Sequence, residues 1–358
     1  MGARKSTNNN SKDKLRDFIR EVPKTEIHIH TEAVVSFESY QKLNEKNHIN
    51  PELKKVEDYK TYLKMSSLTD FIKNFTYLQG FFREAEDFRY MISDLETYAK
   101  RNNIKYVEAY FAPSVPKRNG LNVGDLLTVF DREMASAETR GLPIRLIVDM
   151  SRTFGLDNAQ DNLNQLLAYL DKNGDKTRIL GIGLGGQESG NDALTYAPIF
   201  SQAKARDLKL VAHAGEEVGP ESIWSALKDL SAQRIGHGTS AIYDEELMDY
   251  LLLHKIPMEI CPTSNIVTGK YVQRLKDHPL KTFMSRGMNV TINTDDPIFF
   301  SVELNDELEK SAKEMSLEPS VIRDILKNGV RSTFLPEKDK TKLLKEIDQV
   351  YNKHFLLS

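Results

Sequence analysis

The sequence contains a single cysteine, Cys261, in 358 residues. One cysteine cannot form an intrachain disulfide, and a free thiol is typical of a reducing compartment. No apolar run approaches the roughly 18 residues of a transmembrane helix. The polar residues 1–10 also lack the apolar core of a secretory signal. We therefore expect a cytoplasmic protein that does not enter a membrane.

Neither sign of charge is in excess. The chain has 49 Lys and Arg residues against 52 Asp and Glu residues, and its formal net charge is −3 at pH 7. Basic side chains are scattered among acidic ones, so we expect no nucleic-acid partner. The length is sufficient for a substantial core. Because no linker interrupts the chain after its polar start, we expect a disordered tail over residues 1–13 and a single domain over 14–358.

Eight short apolar runs rich in β-branched residues predict strands, and helical periodicities separate most of them. Strands that alternate with helices predict a parallel sheet. Eight such units in one domain indicate a (β/α)8 TIM-type barrel, in which function concentrates at the carboxyl ends of the strands. The predicted strands are Thr25–His30, Lys105–Ala112, Ile144–Met150, Ile179–Leu184, Lys209–His213, Arg234–His237, Pro257–Cys261 and Asn289–Thr294.

The connection from His30 to Lys105, between the first two predicted strands, is too long for one crossover helix. Its periodicities predict several helices, which we expect to form a lid over the barrel mouth. These are Ser36–Lys46, Leu53–Leu63, Leu68–Gln79 and Ala85–Arg101. The segment from Leu304 onward predicts helices that close the barrel.

Histidines and an aspartate stand at the ends of three predicted strands. Alternate residues on a strand share a face, so His28 and His30 both point into the barrel. An isolated pair of this kind more often packs than binds metal. His213 would add a third imidazole and Asp295 a carboxylate, a ligand set that suits Zn²⁺ with one position left for water. The joint occurrence therefore predicts one catalytic zinc ion per chain.

Two more residues in these clusters are candidates for acid–base chemistry. Glu216 lies three residues past His213, in a turn where Gly215 frees the backbone to place the carboxylate over the site. The alternative is a carboxylate that only stabilises the start of the following helix. His237 ends its strand between two glycines, and a structural core histidine is the alternative there. With a metal nearby, a second base or an orienting group is favoured.

The adjacent Asp295 and Asp296 face different directions on an extended chain, so one could bind metal and the other substrate. The glycine-rich stretch 181–186 lacks the lysine of a P-loop, and its glycines are better suited to a close approach of backbone N–H groups to a flat ligand. The other four histidines have no evident partners in the sequence, and we expect them at the surface. They are His48, His254, His278 and His354.

These clusters resemble the motifs of the adenosine/adenine deaminase family, in register from about Val22 to the end of the chain. The matching segments are Pro23–His30, His213–Glu216, Gly219–Trp224, Arg234–Gly238, Cys261–Asn265 and Asn293–Pro297. The resemblance is closest to bacterial adenosine deaminases. It implies a zinc-dependent (β/α)8 hydrolase that converts a 6-aminopurine to the 6-oxo compound and releases ammonia.

The resemblance also implies a role for each matched residue. Four residues would bind zinc: His28, His30, His213 and Asp295. Glu216 would protonate purine N1, and His237 would hold the attacking water. Asp296 would form a hydrogen bond with N7, and the Gly186 N–H would meet N3.

Two segments depart from the family pattern. Adenosine-specific members have an Asp-Gly pair that reads the ribose 5′ side, whereas Glu32 and Ala33 stand here. We expect Glu32 to contact the 5′ end of the substrate and to repel a 5′-phosphate. The family's Leu-Ala-Gly-Asp-Glu segment is replaced by Leu184–Glu188, with Gly185 for the alanine and Gln187 for the aspartate.

The leading hypothesis is a deaminase that converts adenosine or 2′-deoxyadenosine to inosine or 2′-deoxyinosine. Free adenine, or a 5′-modified adenosine such as aminodeoxyfutalosine or methylthioadenosine, is the alternative substrate. A two-metal hydrolase would need a bridging lysine at the end of the fourth strand, where Gly183–Gly186 stand instead. A non-catalytic binding protein would be expected to have lost a ligand or the acid, and none is missing.

Overall fold

The computed structural model describes residues 13–63 and 68–357. Eight parallel strands form one sheet in the order of the sequence, each paired with the next. Helices surround the sheet, so the predicted (β/α)8 barrel is confirmed. The strands are β1 Lys24–Glu26, β2 Ile104–Phe111, β3 Ile144–Asp149, β4 Ile179–Leu184, β5 Lys209–Ala214, β6 Arg234–His237, β7 Met258–Ile260 and β8 Val290–Ile292.

The barrel closes through the segments that follow β1 and β8. The Asp295 N–H donates to the His28 carbonyl at 3.1 Å, and the His30 N–H donates to the Asp295 carbonyl at 3.0 Å. The Ile27 N–H donates to Asn293 Oδ1 at 3.2 Å. Regular pairing in β1 therefore ends earlier than the sequence predicts, but the segment through His30 still takes part in closing the sheet.

Helices connect the strands and continue beyond β8. Residues 13–21 are helical, including Asp13, which we expected in the tail, whereas residues 1–12 lie outside the described part of the chain. The α-helices that follow in the described part of the chain are Phe37–Asn47, Val56–Tyr59, Leu68–Gln79, Arg89–Arg101, Ser114–Arg118, Val123–Thr139, Leu156–Asn173, Ala197–Lys204, Pro220–Lys228, Glu245–Leu253, Pro262–Val267, Leu280–Ser285, Pro297–Phe300, Leu304–Glu314, Pro319–Ser332 and Glu337–Phe355.

Short 3-10 segments complete the connections. They are Thr31–Val34, Lys60–Leu63, Ala85–Phe88, Arg152–Phe154, Gly174–Lys176, Ala193–Tyr196, Thr239–Tyr243 and Leu275–Asp277. Within residues 13–63 and 68–357, no helix is both long and apolar enough to cross a lipid bilayer.

The insertion between β1 and β2 contains the predicted helices. One begins later than expected, at Val56, because the Asp58 carboxylate accepts the N–H groups of Lys54 and Lys55 and sets the first turn there. The helix Leu68–Gln79 lies over the barrel mouth beside the end of β8. Its Phe71 ring packs at 5.4 Å from the ring of Phe299. This helix forms the predicted lid on that side.

A buried ionic layer lies inside the barrel. Arg234 on β6 pairs through Nε with Glu259 Oε1 on β7 at 2.5 Å and through Nη1 with Glu108 on β2. The Tyr110 hydroxyl donates to the other Glu259 oxygen at 2.8 Å. Because an unpaired buried charge is strongly destabilising, this layer fixes the positions of these side chains. Glu259 also contacts His28 and so links the layer to the strand ends.

Candidate active site

A pocket at the carboxyl ends of the strands collects most of the predicted site residues. Seven of the nine line it, namely His30, Gly186, His213, Glu216, His237, Asp295 and Asp296. His28 is fully buried beside them, with its ring 4.5 Å from that of His213. Glu32 also does not line the pocket, and its carboxylate contacts the backbone of Ala112 instead.

Four side chains converge at the spacing of metal ligands. Asp295 Oδ1 lies 3.4 Å from His28 Nε2 and 3.3 Å from His30 Nε2. His30 Nε2 lies 3.3 Å from His213 Nε2. Nitrogen and oxygen ligands lie about 2.0–2.1 Å from zinc, so two of them on one ion are no more than about 4.2 Å apart, and these distances fit a shared ion.

The environment of His28 supports a cation at this position. Its Nδ1 contacts Glu259 Oε2 at 2.8 Å. A carboxylate only accepts, so it holds the proton on Nδ1 and leaves the Nε2 lone pair free. That buried Nε2 has no hydrogen-bond partner among the described residues. Burial opposes a charged ring, yet the neighbouring carboxylates of Asp295 and Glu259 raise the pKa of His28 to about 9. The cluster therefore attracts positive charge.

His237 lies close enough to be considered a fifth ligand. Its nitrogen belongs to a group with His28, His213 and Asp295 whose ligand atoms all lie within 4.8 Å of one another. His237 Nε2 is 4.0 Å from Asp295 Oδ2 and 3.4 Å from Glu216 Oε2. By distance alone, His237 could contact either a metal or the acid.

Glu216 occupies the turn after β5. Gly215 has a φ of +73°, and a Cβ there would meet Ile223 and Ser240 at 2.5 Å, so the turn requires glycine. Thr268 donates a hydroxyl hydrogen bond to Glu216 Oε1. Burial, with the charge of Asp295, raises the pKa of Glu216 to about 8. A carboxyl group that keeps its proton near neutral pH can act as an acid.

Glu188 holds the turn that carries Glu216. Its carboxylate accepts four backbone N–H groups, at 2.7 Å from Gly215, 3.1 Å from Glu216, 2.7 Å from Glu217 and 3.0 Å from Val218. It also accepts the Ser222 hydroxyl. In return, Glu217 Oε2 accepts the Glu188 N–H at 3.0 Å. The two loops are therefore locked to each other by a reciprocal pair of carboxylates.

Asp295 and Asp296 follow β8, and each offers a carboxylate oxygen to a group with His30 in which the ligand atoms lie within 4.8 Å of one another. Asp295 has a φ of +64°, which turns its carboxylate toward His28 and His30. Ser264 donates to its other oxygen at 2.6 Å. Asp296 also lines the pocket, and its Oδ1 is buried without a partner in the described chain. Burial and the Asp295 charge raise the pKa of Asp296 well above its usual value.

Glu32 lies behind the pocket wall. Its Oε1 accepts the Ala112 N–H at 2.8 Å and its Oε2 accepts the Thr31 hydroxyl at 3.0 Å. The 3-10 turn Thr31–Val34 directs the side chain toward the loop after β2 rather than into the pocket. Direct contact with a substrate, which we expected from the sequence, does not follow from this placement. Glu32 supports Ala112, which does line the pocket.

Two polar residues near the site were not identified from the sequence. Asp149 at the end of β3 lines the pocket and is only 2% exposed. His278, expected at the surface, is only 4% exposed and contacts Asn265 at 3.2 Å. Their positions result from packing between distant segments, and no local motif marks either of them.

Comparison with known proteins gives consistent results. The sequence model described as "Adenosine deaminase" matches residues 23–350. The chain is 33% identical over 335 residues to an aminodeoxyfutalosine deaminase from Streptomyces avermitilis, covering 93% of this chain and 92% of that protein. It is 33% identical over 329 residues to an adenosine deaminase from Vibrio cholerae, with coverage of 90% and 96%. A crystal structure of adenine deaminase from Arthrobacter aurescens superimposes with a TM-score of 0.86, at 27% identity and with coverage of 92% and 98%.

Replacing Glu188 should destabilise the turn that carries Glu216. Glu188→Gln leaves some of the N–H groups bound by the carboxylate without an acceptor, which should lower the free energy of unfolding by about 1–3 kcal/mol. We expect the Tm measured by circular dichroism to fall by about 1–4 °C. Glu221→Gln, at an exposed carboxylate that accepts the Gly219 N–H, is the matched control and should change little. An equal Tm for both variants would contradict the assignment.

Proposed function

This chain belongs to the adenosine deaminase family, and from that premise we propose that it hydrolyses the 6-amino group of adenosine or 2′-deoxyadenosine with one zinc ion. The convergence of His28, His30, His213 and Asp295 beside Glu216 carries the proposal. In the reaction, the oxygen of a water molecule bonds to C6 of the purine. The bond from C6 to the amino nitrogen then breaks, and ammonia leaves.

The residues present fit zinc. Three imidazoles and one carboxylate are a ligand set typical of a catalytic zinc site. His28, His30, His213 and Asp295 would hold the ion, with Glu259 orienting His28 through Nδ1. When bound there, zinc supplies Lewis acidity that lowers the pKa of water from about 15.7 toward about 7.

Glu216 carries the proton that the reaction needs. C6 of an aromatic purine is a poor electrophile, and proton transfer from Glu216 to N1 localises the ring electrons so that C6 can be attacked. His237, with Nε2 3.4 Å from Glu216 Oε2, would orient the attacking water. Asp296 would form a hydrogen bond with N7.

The order of the strands predicts how the purine ring is oriented in the pocket. Glu216 follows β5, Gly186 follows β4 and Asp149 ends β3, and these strands are neighbours in the sheet. N1, N3 and N9 follow one another along one side of a purine. With N1 at Glu216 and N3 at the Gly186 N–H, the N9 side of the purine would face Asp149.

The pocket wall on that side suits a neutral nucleoside. No lysine or arginine is among the described residues that line the pocket. Asp149 Oδ1 accepts the N–H groups of Ser151 at 2.6 Å and Gly185 at 3.0 Å. A Cβ at Gly185 would lie 2.3 Å from Asp149 Oδ2, so the glycine makes room for this carboxylate. A carboxylate in a wall that contains no lysine or arginine disfavours a substrate phosphate, and the buried Arg152 guanidinium, which interacts electrostatically with Asp149 from outside the pocket, reduces this effect.

A 5′-modified adenosine is the second candidate substrate. Apolar side chains form much of the remaining wall, including Phe71, Phe75, Val115 and Phe154. Such a wall can bury an uncharged 5′ substituent larger than a hydroxyl group. The likeness to an aminodeoxyfutalosine deaminase, a protein named for a substrate of this kind, supports keeping this candidate.

Zinc content tests the ligand assignment. One set of four ligands predicts one zinc ion per chain by elemental analysis of active protein. Removing it with a chelator should abolish deamination followed by ultraviolet absorbance, and added zinc should restore it. Two tightly bound ions per chain would contradict the mononuclear site.

A substitution at Glu216 tests the proton donor. Glu216→Gln should keep the zinc content and the Tm but lower kcat by at least about 10²–10⁴-fold, the usual contribution of general acid–base catalysis. Substrate should still bind, because the amide preserves the shape of the side chain. Glu221→Gln, at the exposed carboxylate five residues later, should retain near-native turnover. If Glu216→Gln did so too, another residue would have to be the acid.

The pocket wall predicts discrimination against nucleotides. AMP should have a much lower kcat/KM than adenosine. Asp149→Asn keeps an oxygen for the Ser151 and Gly185 N–H groups but removes the negative charge, which should raise the AMP-to-adenosine ratio by about tenfold. Asp87→Asn, at a buried aspartate that accepts the Arg83 N–H and does not line the pocket, should leave the ratio unchanged. Equal kcat/KM for AMP and adenosine in the unmodified protein would refute this view.

A further inference from the structure

We propose that His278 and Asn265 fix the tautomer of His237, placing its proton on Nε2. His237 then presents an N–H group to the active site and stands beside the metal instead of binding it. His278 and Asn265 are positioning residues in this scheme. All three side chains are buried, with His278 at 4%, Asn265 at 0% and His237 at 1% exposure.

The backbone fixes the hydrogen-bonding role of one ring nitrogen of His278. The backbone N–H of Leu280 contacts His278 Nδ1 at 3.0 Å. A backbone N–H can only donate, so His278 Nδ1 is an acceptor and carries no proton. Burial lowers the pKa of His278 to about 3, which keeps the ring neutral at physiological pH. A neutral ring without a proton on Nδ1 must carry it on Nε2.

Asn265 connects the ring of His278 to the ring of His237. His278 Nε2, which carries the proton, contacts Asn265 Oδ1 at 3.2 Å, and the amide oxygen accepts. The NH₂ group of Asn265 therefore faces His237, with Nδ2 2.9 Å from His237 Nδ1. An amide NH₂ can only donate, so His237 Nδ1 is the acceptor. The proton of the neutral His237 ring is thus on Nε2.

This tautomer decides between the two possible roles of His237. Its Nδ1 lone pair is used by Asn265, and its Nε2 carries a proton, so neither nitrogen can bind a cation. His28 shows the opposite arrangement, because Glu259 accepts at Nδ1 and leaves the Nε2 lone pair free. Metal-binding histidines usually donate their second N–H to an acceptor, as His28 does and His237 does not.

The same tautomer defines what His237 can do in catalysis. The Nε2–H lies 3.4 Å from Glu216 Oε2 and 4.0 Å from Asp295 Oδ2. From there it can donate a hydrogen bond to an oxygen held between these carboxylates, but it cannot accept a proton at Nε2. This role of His237 in catalysis rests on the proposed function, whereas the assignment of its tautomer does not. Proton transfer then falls to Glu216.

Nuclear magnetic resonance can observe the tautomer directly. The full-length, zinc-loaded protein would be labelled with ¹⁵N-histidine and examined by two-bond ¹H–¹⁵N correlation, in which protonated and unprotonated ring nitrogens are well separated. The His237→Gln variant identifies the His237 signals. We expect a protonated Nε2 and an unprotonated Nδ1 in His237. A protonated Nδ1 would overturn the proposal without any measurement of activity.

Replacing the Asn265 amide with a carboxylate should change the tautomer of His237. Asn265→Asp replaces the NH₂ donor with an acceptor, so the His237 proton should move to Nδ1. With zinc content unchanged, we expect kcat to fall by about 10²–10⁴-fold, as when a catalytic imidazole is held in the wrong tautomer. An unprotonated Nδ1 of His237 in this variant would refute the relay through Asn265. Loss of the Nε2 proton with unchanged kcat would refute the donor role.

A matched control separates this effect from the loss of a buried amide. Asn162 is fully buried, does not line the pocket, and donates to the Ser114 hydroxyl at 3.0 Å. Because a hydroxyl can also donate, Asn162→Asp keeps a partner and should leave the His237 spectrum and kcat within about twofold of native. If Asn265→Asp fails to fold, the spectrum of the unmodified protein still decides the tautomer. Failure of the proposed function would appear separately, as no turnover of any 6-aminopurine by that protein.

Discussion

The site depends on the backbone hydrogen bonds that join the segment after β1 to Asp295. These bonds close the barrel, and the same residues supply His28, His30 and the Asp295 carboxylate to one point. The positive φ of Asp295 lets its backbone complete the sheet while its side chain turns back over it. Closure of the fold and assembly of the ligand set are therefore a single structural event, which explains why the ligands can be buried and still converge.

The hydrogen-bond partner of each histidine determines whether its ring presents a lone pair or a proton to the site. His28 and His237 have rings only 4.9 Å apart, yet one faces a carboxylate and the other an amide NH₂. The carboxylate leaves a lone pair toward the centre of the site, and the amide leaves a proton there. A similar contrast separates Asp295, which contacts two imidazoles, from Asp296, whose Oδ1 is buried without a partner among the described residues.

Much of the fold was predictable because its signals are local. Apolar runs marked all eight strands, and the ligand residues stood at the ends of those runs. The expected surface position of His278 was wrong, and the surroundings of Glu32 were not predicted, because the contacts of both side chains form only when separate segments pack together. Glu32 is turned toward Ala112, and His278 is enclosed beside Asn265. The carboxylate of Glu188 likewise meets backbone groups 27–30 residues away, which no periodicity could indicate.

Closing the sheet between its first and last strands also has a consequence for the order of folding. The candidate metal ligands include residues that follow the first and the last strand, and the Ile27 N–H meets Asn293, 266 positions later in the sequence. Contacts of such separation form late, because the entropy of closing so long a loop must be overcome first. During synthesis on the ribosome, a nascent chain would lack Asp295 until most of the barrel had emerged. The complete group of candidate metal ligands therefore forms only in a chain whose barrel is already closed, so a metal ion that needs all four of them could be bound only at the end of folding.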